Sequence, residues 1–487
     1  MEQANAPEPS HPEPRPKSRA HAQMELIRQR FGRIAEQGPP DYEETGVKYW
    51  VRPGLVLVRD DFATRARRIL ADATPRPDHP DQPYPPSQPD QPDQADQADQ
   101  ADQPGQAGQP DQPDQAGQPG QPDQAGQPGQ SDRPEPGGTQ AAAAYRPMPD
   151  DGPRDADVMF GMQYVAVPAG LSAQRAAELI NARLHGVAAT EKLLHITSTG
   201  TGCPATEPVP VPLGTPPDPP VSTDRQAGQG VRVVVVDTGL DRPTARLLPW
   251  MRGVRGDVDT GVRPDGQQDP YAGHGTFIAG VVRSMAPRAH VVVRRGLPYD
   301  GCTWESDLLK ALTKVLAEDH PDVISLSAGT LSKERLVLFE EFYREVLSRY
   351  KGVAIVAAAG NDGKSRAFWP AAAPWTTSVG ALSEDWHSRA WFTNHGGWVD
   401  VYAPGHNLVN AYPAGWFRYR ERKHHRRKVV FEGMARWSGT SFATPVVAGL
   451  IAARMSRTGE SGSEAAAALV HEARQRAIPG VGAILTP

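Results

Sequence analysis

The stretch Gly439-Thr440-Ser441-Phe442-Ala443-Thr444-Pro445, running into Val446-Val447-Ala448-Gly449-Leu450, decides how this chain is read. Small residues form a turn and deliver a hydroxyl, that of Ser441, to the first turn of an apolar helix. There, unpaired backbone N–H groups and the helix dipole favour a developing anion. A serine so placed is a nucleophile only if a base and an orienting acid exist elsewhere. Upstream, Val233-Val234-Val235-Val236-Asp237-Thr238-Gly239 ends an apolar run on an acid, and Gly273-His274-Gly275-Thr276-Phe277-Ile278-Ala279-Gly280 opens a second apolar helix on a histidine. Imidazole titrates near neutral pH, so His274 is the fitting base for Ser441. Asp237 would bind the other ring nitrogen, fixing the tautomer and stabilising the imidazolium.

Outward from these motifs, the second half of the chain alternates between short apolar runs and helical periodicity. Val231–Val236 suits a buried parallel strand. His274–Val282 reads as a helix, His290–Val293 as a strand, and Ser306–Leu316 as a helix with Leu308, Leu309, Leu312, Val315 and Leu316 on one face. Val323–Leu326 is a strand, Lys333–Tyr350 a helix, Val353–Ala358 a strand, and Ser463–Arg476 an Ala-rich helix. This alternation predicts an α/β fold with a mostly parallel sheet and helices on both faces.

At the quoted residues the chain resembles the subtilisin-like serine peptidases. Asp-Thr-Gly, His-Gly-Thr and Gly-Thr-Ser-x-Ala-x-Pro match the family's three signatures in the family's order, and Ala357-Ala358-Ala359-Gly360-Asn361 matches a fourth. The resemblance runs from about Gly228 to about Ser456. It implies a serine endopeptidase acting on a peptide or protein substrate through an acyl-enzyme, with Asp237, His274 and Ser441 as the triad. Asn361 would donate its amide to the oxyanion beside the backbone N–H of Ser441. Ser327-Ala328-Gly329 matches the family segment that pairs with extended substrate as an added strand. Val399–Gly405 matches another segment, with a structural role. Aligning Trp369-Pro370 with the family's aromatic-Pro pair places Phe368 where relatives often carry glycine. An inward phenyl group there would fill the pocket for the residue before the cleaved bond and favour Ala or Ser. The family's calcium loop is expected to be missing, because Val281–Pro287 runs directly toward the next strand without a carboxylate. No cofactor or metal is implied.

The first 200 or so residues lie outside that resemblance. Residues 1–23 are Pro-rich and polar, and residues 76–140 repeat Asp-Gln-Ala, Gly-Gln-Pro and Gln-Pro-Asp units with almost no aromatic or β-branched residues. Both read as disordered, since neither buries enough surface to offset the entropy of ordering. The flanking pieces, 24–75 and 141–202, read as two halves of one small α+β domain. Tyr49–Val58 is a strand and Phe62–Leu70 a helix with Phe62, Ala66, Ile69 and Leu70 aligned. Met162–Val167 is a strand, Ser172 caps a helix carrying Ala176, Leu179, Ile180 and Leu184, and Leu193–Thr197 is a last strand. Order and position resemble the propeptide of many subtilisin-like peptidases, which implies intramolecular inhibition; an unrelated partner-binding domain is the alternative. Residues 203–229, rich in Pro and Thr, read as a linker open to cleavage, and the peptidase domain as 230–487.

Composition bounds the rest. The chain has 487 residues, 50 Pro, 47 Gly and a net charge of −5, which favours no nucleic-acid partner. Two cysteines, Cys203 and Cys302, do not make a disulfide framework; they read as two buried thiols, or as a pair if the protein is exported. No secretory leader and no apolar run of about 18 residues is visible, so a cytoplasmic location and no membrane span are expected. The basic run Arg418–Lys428 reads as a solvated loop, with the acidic insert, an acidic substrate or RNA as other partners. His424 and His425 lack zinc-site spacing. A degenerate fold that binds peptides without cutting them, and a scaffold released by a partner, are the competing functions.

Overall fold

The computed structural model describes residues 49–73, 152–196, 205–298, 300–332, 335–420 and 427–487, together with the backbone of strand Glu36–Gln37. The expected disordered stretches 1–23 and 76–140, Cys203, and 421–426 of the basic run lie outside the described residues.

The N-terminal part follows the β–α, β–α order read from the sequence. Strand β1 (Leu55–Arg59) leads into helix α1 (Ala63–Asp72); after residues 75–151 come β2 (Met162–Ala166), α2 (Ala173–Leu184), β3 (Ala188–Ala189) and β4 (Leu193–Ile196). The run Tyr49–Val58 is not one strand: Trp50–Val51 is separated from β1 by a turn at Pro53-Gly54, where Gly54 has φ 71°. Ser172 caps α2, accepting the Arg175 N–H at 3.1 Å. Strands β1, β2 and β3 form an antiparallel sheet with Val158–Met159. Because side chains alternate across a strand, Val56 and Val58 pack with Ala66, Ile69, Leu70 and Ile180 of the two helices, while Leu57, Met162 and Tyr164 join the core of the C-terminal part.

The C-terminal part is built on a seven-stranded parallel sheet. In chain order its elements are β5 (Val209–Pro210), β6 (Arg232–Asp237), β7 (Arg255–Gly256), α3 (His274–Met285), β8 (His290–Arg295), β9 (Cys302–Trp304), α4 (Glu305–Asp319), β10 (Val323–Leu326), β11 (Ala328–Leu331), α5 (Val337–Glu345), β12 (Ala354–Ala358), β13 (Phe368–Trp369), β14 (Thr377–Leu382), β15 (Val401–Pro404), β16 (Leu408–Ala411), β17 (Gly415–Arg418), β18 (Lys428–Phe431), β19 (Met434–Trp437), α6 (Thr440–Thr458) and α7 (Gly462–Gln475). The sheet order is β7-β8-β6-β10-β12-β14-β15. Alternation along β6 sends Val233 and Val235 to the layer containing α3 and α6, and Val234 and Val236 to the layer containing α4 and α5. That is the expected α/β architecture with helices on both faces. Among the described residues no helix is long and apolar enough to cross a membrane.

Two further expectations need correction. Residues 205–229 are not a free linker, because β5 pairs with β19 at the edge of the β16-β19-β5 sheet. Ala205 N–H donates to Ser438 O at 2.9 Å, and the Trp437 indole donates to Thr206 O at 2.7 Å. Proline is tolerated in that strand because it lies at an edge, where one side needs no ladder bond. The helix read as Lys333–Tyr350 is shorter: α5 ends at Glu345 and a 3₁₀ turn follows at Leu347–Arg349.

Candidate active site

Strands β6, β10 and β12 are neighbours, and at their C-terminal ends they present Asp237, Ser327 and the Gly360-Asn361 turn. The C-terminal edge of a parallel sheet is where α/β folds assemble sites. Helices α3 and α6 start there too, with His274 and Ser441 in their first turns. The two helices run side by side under the sheet, and Gly449 permits the approach, since a Cβ on it would stand 2.4 Å from Met285 Cβ. The four residues Asp237, His274, Asn361 and Ser441 have no exposed surface.

The pair expected from the sequence is formed: His274 Nδ1 lies 2.7 Å from Asp237 Oδ1. The Thr238 N–H donates to the same carboxyl oxygen at 2.8 Å. That arrangement fixes the ring and directs Nε2 away from the acid, and Nε2 makes no hydrogen bond to the described residues. Aromatic side chains hold the ring from several sides. Phe442, the residue after Ser441, stands 5.3 Å from the imidazole centroid, and Trp437 and Tyr271 meet it edge-on at 5.6 and 6.5 Å. Ser441 is thereby tied to the His274 neighbourhood through its own helix turn.

Asn361 is oriented by Thr440. The Thr440 N–H and hydroxyl donate to Asn361 Oδ1 at 2.8 and 3.0 Å, and Gly360 N–H donates to Thr440 Oγ1 at 3.1 Å. With its oxygen committed, the amide nitrogen is the end turned away from Thr440. Sequence reading gave Thr440 no role, although it sits inside the serine motif. The Ser327 hydroxyl donates to Ser441 O at 3.2 Å, joining the end of β10 to the first turn of α6.

The segment Ala328-Gly329 opens β11, and a strand already lies on it: β4 pairs antiparallel with β11, Ala328 opposite Ile196 and Gly329 opposite His195. On its other side β4 pairs with β9, Cys302 opposite His195. Phe368, in β13 on the far side of β11, is buried. A Cβ on Gly329 would stand 2.3 Å from its ring, and one on Gly360 would stand 3.1 Å from it. The His195 ring meets it edge-on at 6.2 Å. Of the basic run, Arg418 and Lys428 pair across the β17–β18 hairpin, with the Lys428 ammonium 4.0 Å over Trp416. Among the described residues no group of three His, Cys, Asp or Glu side chains is placed to hold a metal ion.

Residues 228–484 match the subtilase family, peptidase S8. The chain belongs to this family. The subtilase is 31% identical over 244 residues to the Thermophilic serine proteinase of Bacillus sp. (strain AK1), a match spanning 47% of this chain and 52% of that protein. It is 31% identical over 235 residues to Subtilisin BL of Lederbergia lenta, spanning 46% of this chain and 76% of that one. Among solved structures, a cold adapted subtilisin-like serine proteinase is similar at 24% identity and a TM-score of 0.39, covering 51% of the subtilase and 84% of that chain. The subtilase thus spans about half the length of one curated relative and about three quarters of another.

Proposed function

We propose that this subtilase is a serine endopeptidase whose triad is Asp237, His274 and Ser441. The observation that carries the reading is the buried 2.7 Å Asp237–His274 bond, which leaves His274 Nε2 without a partner among the described residues in a pocket walled by Phe442. As Ser441 Oγ attacks the substrate carbonyl carbon, Nε2 takes the hydroxyl proton and the carbonyl π pair moves onto oxygen. The Ser441 N–H and the Asn361 amide stabilise that oxyanion. The imidazolium then protonates the leaving amine, the C–N bond breaks and an acyl-serine remains. Water, deprotonated by the same ring, releases the acid and restores the enzyme. Asp237 holds the tautomer and offsets the imidazolium charge throughout. A serine-directed fluorophosphonate tests the reading: it should label the wild type and fail with Ser441→Ala. Equal labelling of both would overturn it.

The same reading extends to the cleft. A substrate bound as an added strand would occupy the edge of β11 that β4 takes, with main-chain pairing as the recognition. The N-terminal part therefore acts as an intramolecular inhibitor, and its continuous insertion between β9 and β11 supports this. Phe368 shapes the pocket for the residue before the cleaved bond, and its contacts with Gly329 and Gly360 support selection of small side chains there.

A further inference from the structure

Asp237 and His274 sit on separate elements, and a second carboxyl lies between the segments that carry them. Asp259, in the loop after β7, is 6% exposed. Its Oδ2 accepts the Gly273 N–H at 2.7 Å and the Thr238 hydroxyl at 3.3 Å, and its Oδ1 accepts the Gly261 N–H at 2.8 Å. Thr238 in turn accepts the Gly275 N–H at 3.2 Å and gives its own N–H to Asp237. One carboxylate thus grips the residue before His274 directly. It also holds Thr238, the residue after Asp237, and through Thr238 it reaches Gly275, the residue after His274.

The backbone is shaped to admit this brace. Leu240 is bonded on both sides to this loop: its N–H donates to Asp257 O at 2.8 Å, and its carbonyl accepts the Asp259 N–H at 3.1 Å. Gly239, at φ 112°, lies so close that a Cβ would stand 2.8 Å from Asp259 N. Three donors converge on the carboxyl group, and an acceptor-only side chain satisfies all three. An amide of the same shape would turn its NH₂ toward one of them. Burial pushes the Asp259 carboxyl up to about 6, with the Asp237 charge adding to the rise and the Gly261, Gly273 and Thr238 bonds opposing it. Asp237 is the charged group that faces it, and His274 is the titratable group on the segment it holds.

We propose that Asp259 is a positioning residue, which sets the Asp237–His274 pair through Gly273 and Thr238 without touching substrate. The inference rests on the peptidase reading and deepens it.

The test uses the full chain, with peptide hydrolysis expressed per fluorophosphonate-labelled site so that cleft occupancy does not enter. Asp259→Asn should lower kcat about 10- to 100-fold with KM within about twofold, as expected for a small misplacement of a catalytic pair. Thr238→Ser should stay near wild type, and Thr238→Val should reproduce the kcat loss. A wild type that takes no label would remove the parent reading and this inference with it. A labelled wild type alongside Asp259→Asn with unchanged kcat would overturn this inference alone. If Asp259→Asn does not fold, the Thr238 pair decides: equal kcat in Val and Ser variants overturns it.

Discussion

Two buried carboxyl clusters in this protein are built to opposite rules. At the ends of β6 and α3, Asp237 faces a base, and every member belongs to the peptidase part. Where the N-terminal part meets α4, Glu191 and Glu305 are each 1% exposed and act on one another as like charges. Arg52 bonds Glu191 at 2.5 Å and lies 4.3 Å over the Trp304 ring. Ser306 N–H donates to Glu191 at 3.1 Å and Phe339 N–H to Glu305 at 3.2 Å, so the two acids serve the first turns of α4 and α5. Burial first, and the Glu191 charge next, push the Glu305 carboxyl up to about 8, while Lys192 and the N–H groups oppose the rise. The first cluster is complementary in charge and suits permanent duty. The second is completed only when two parts of the chain meet, and it holds best with a proton.

The comparison breaks first at the catalytic end. Ser441→Ala should reduce peptide hydrolysis by at least about 10⁴-fold, with Asp237→Ala and His274→Ala similarly severe because triad members act as a unit. Turnover assays on folded variants check this. Asn361→Ala should cost about 100- to 1000-fold in kcat, the usual loss for one oxyanion donor; a loss below about tenfold would remove Asn361 from the site.

The junction gives the next effect. Glu305 has its ordinary value of 4.5 raised in the assembled state, so assembly holds a proton that separation releases. The stabilisation is fully present below about 4.5 and is lost as pH climbs toward 8. In a Ser441→Ala background, opening of β4 at Leu194 and Ile196, read by hydrogen exchange corrected for intrinsic rates, should increase from pH 5 to pH 8. Glu305→Gln should flatten that dependence. The smallest effect concerns the pocket. Phe368→Gly should raise kcat/KM for Leu or Phe relative to Ala at the residue before the cleaved bond, by about 10-fold. An unchanged ratio would place the ring outside the pocket.

What the sequence revealed, and what it hid, follows the same division. Placements that depend on local sequence were legible: Ser441 in the first turn of α6, His274 opening α3, Asp237 closing β6, and β10 at Val323–Leu326. Each sits where a run of apolar residues meets a small-residue turn, and that junction is written in adjacent letters. Contacts that depend on distant partners were not. Glu305 meets Lys192 from 113 positions away, and Asp259 reaches Thr238 across 21 and Gly273 across 14. Residues 205–229 read as a linker because their Pro content argues against a strand, yet their partners Trp437 and Ser438 lie more than 200 positions on and supply an edge to join.

The central claim is that His274 activates Ser441 for attack on a carbonyl carbon, and one measurement tests it most directly. The full-length wild type, His274→Ala and Ser441→Ala chains are incubated with a fluorophosphonate, digested and mapped by mass spectrometry. The account predicts a single phosphonylated residue, Ser441, in the wild type, with slow or no labelling of His274→Ala and none of Ser441→Ala. Modification of another serine, or labelling of Ser441 at the same rate without His274, would contradict it.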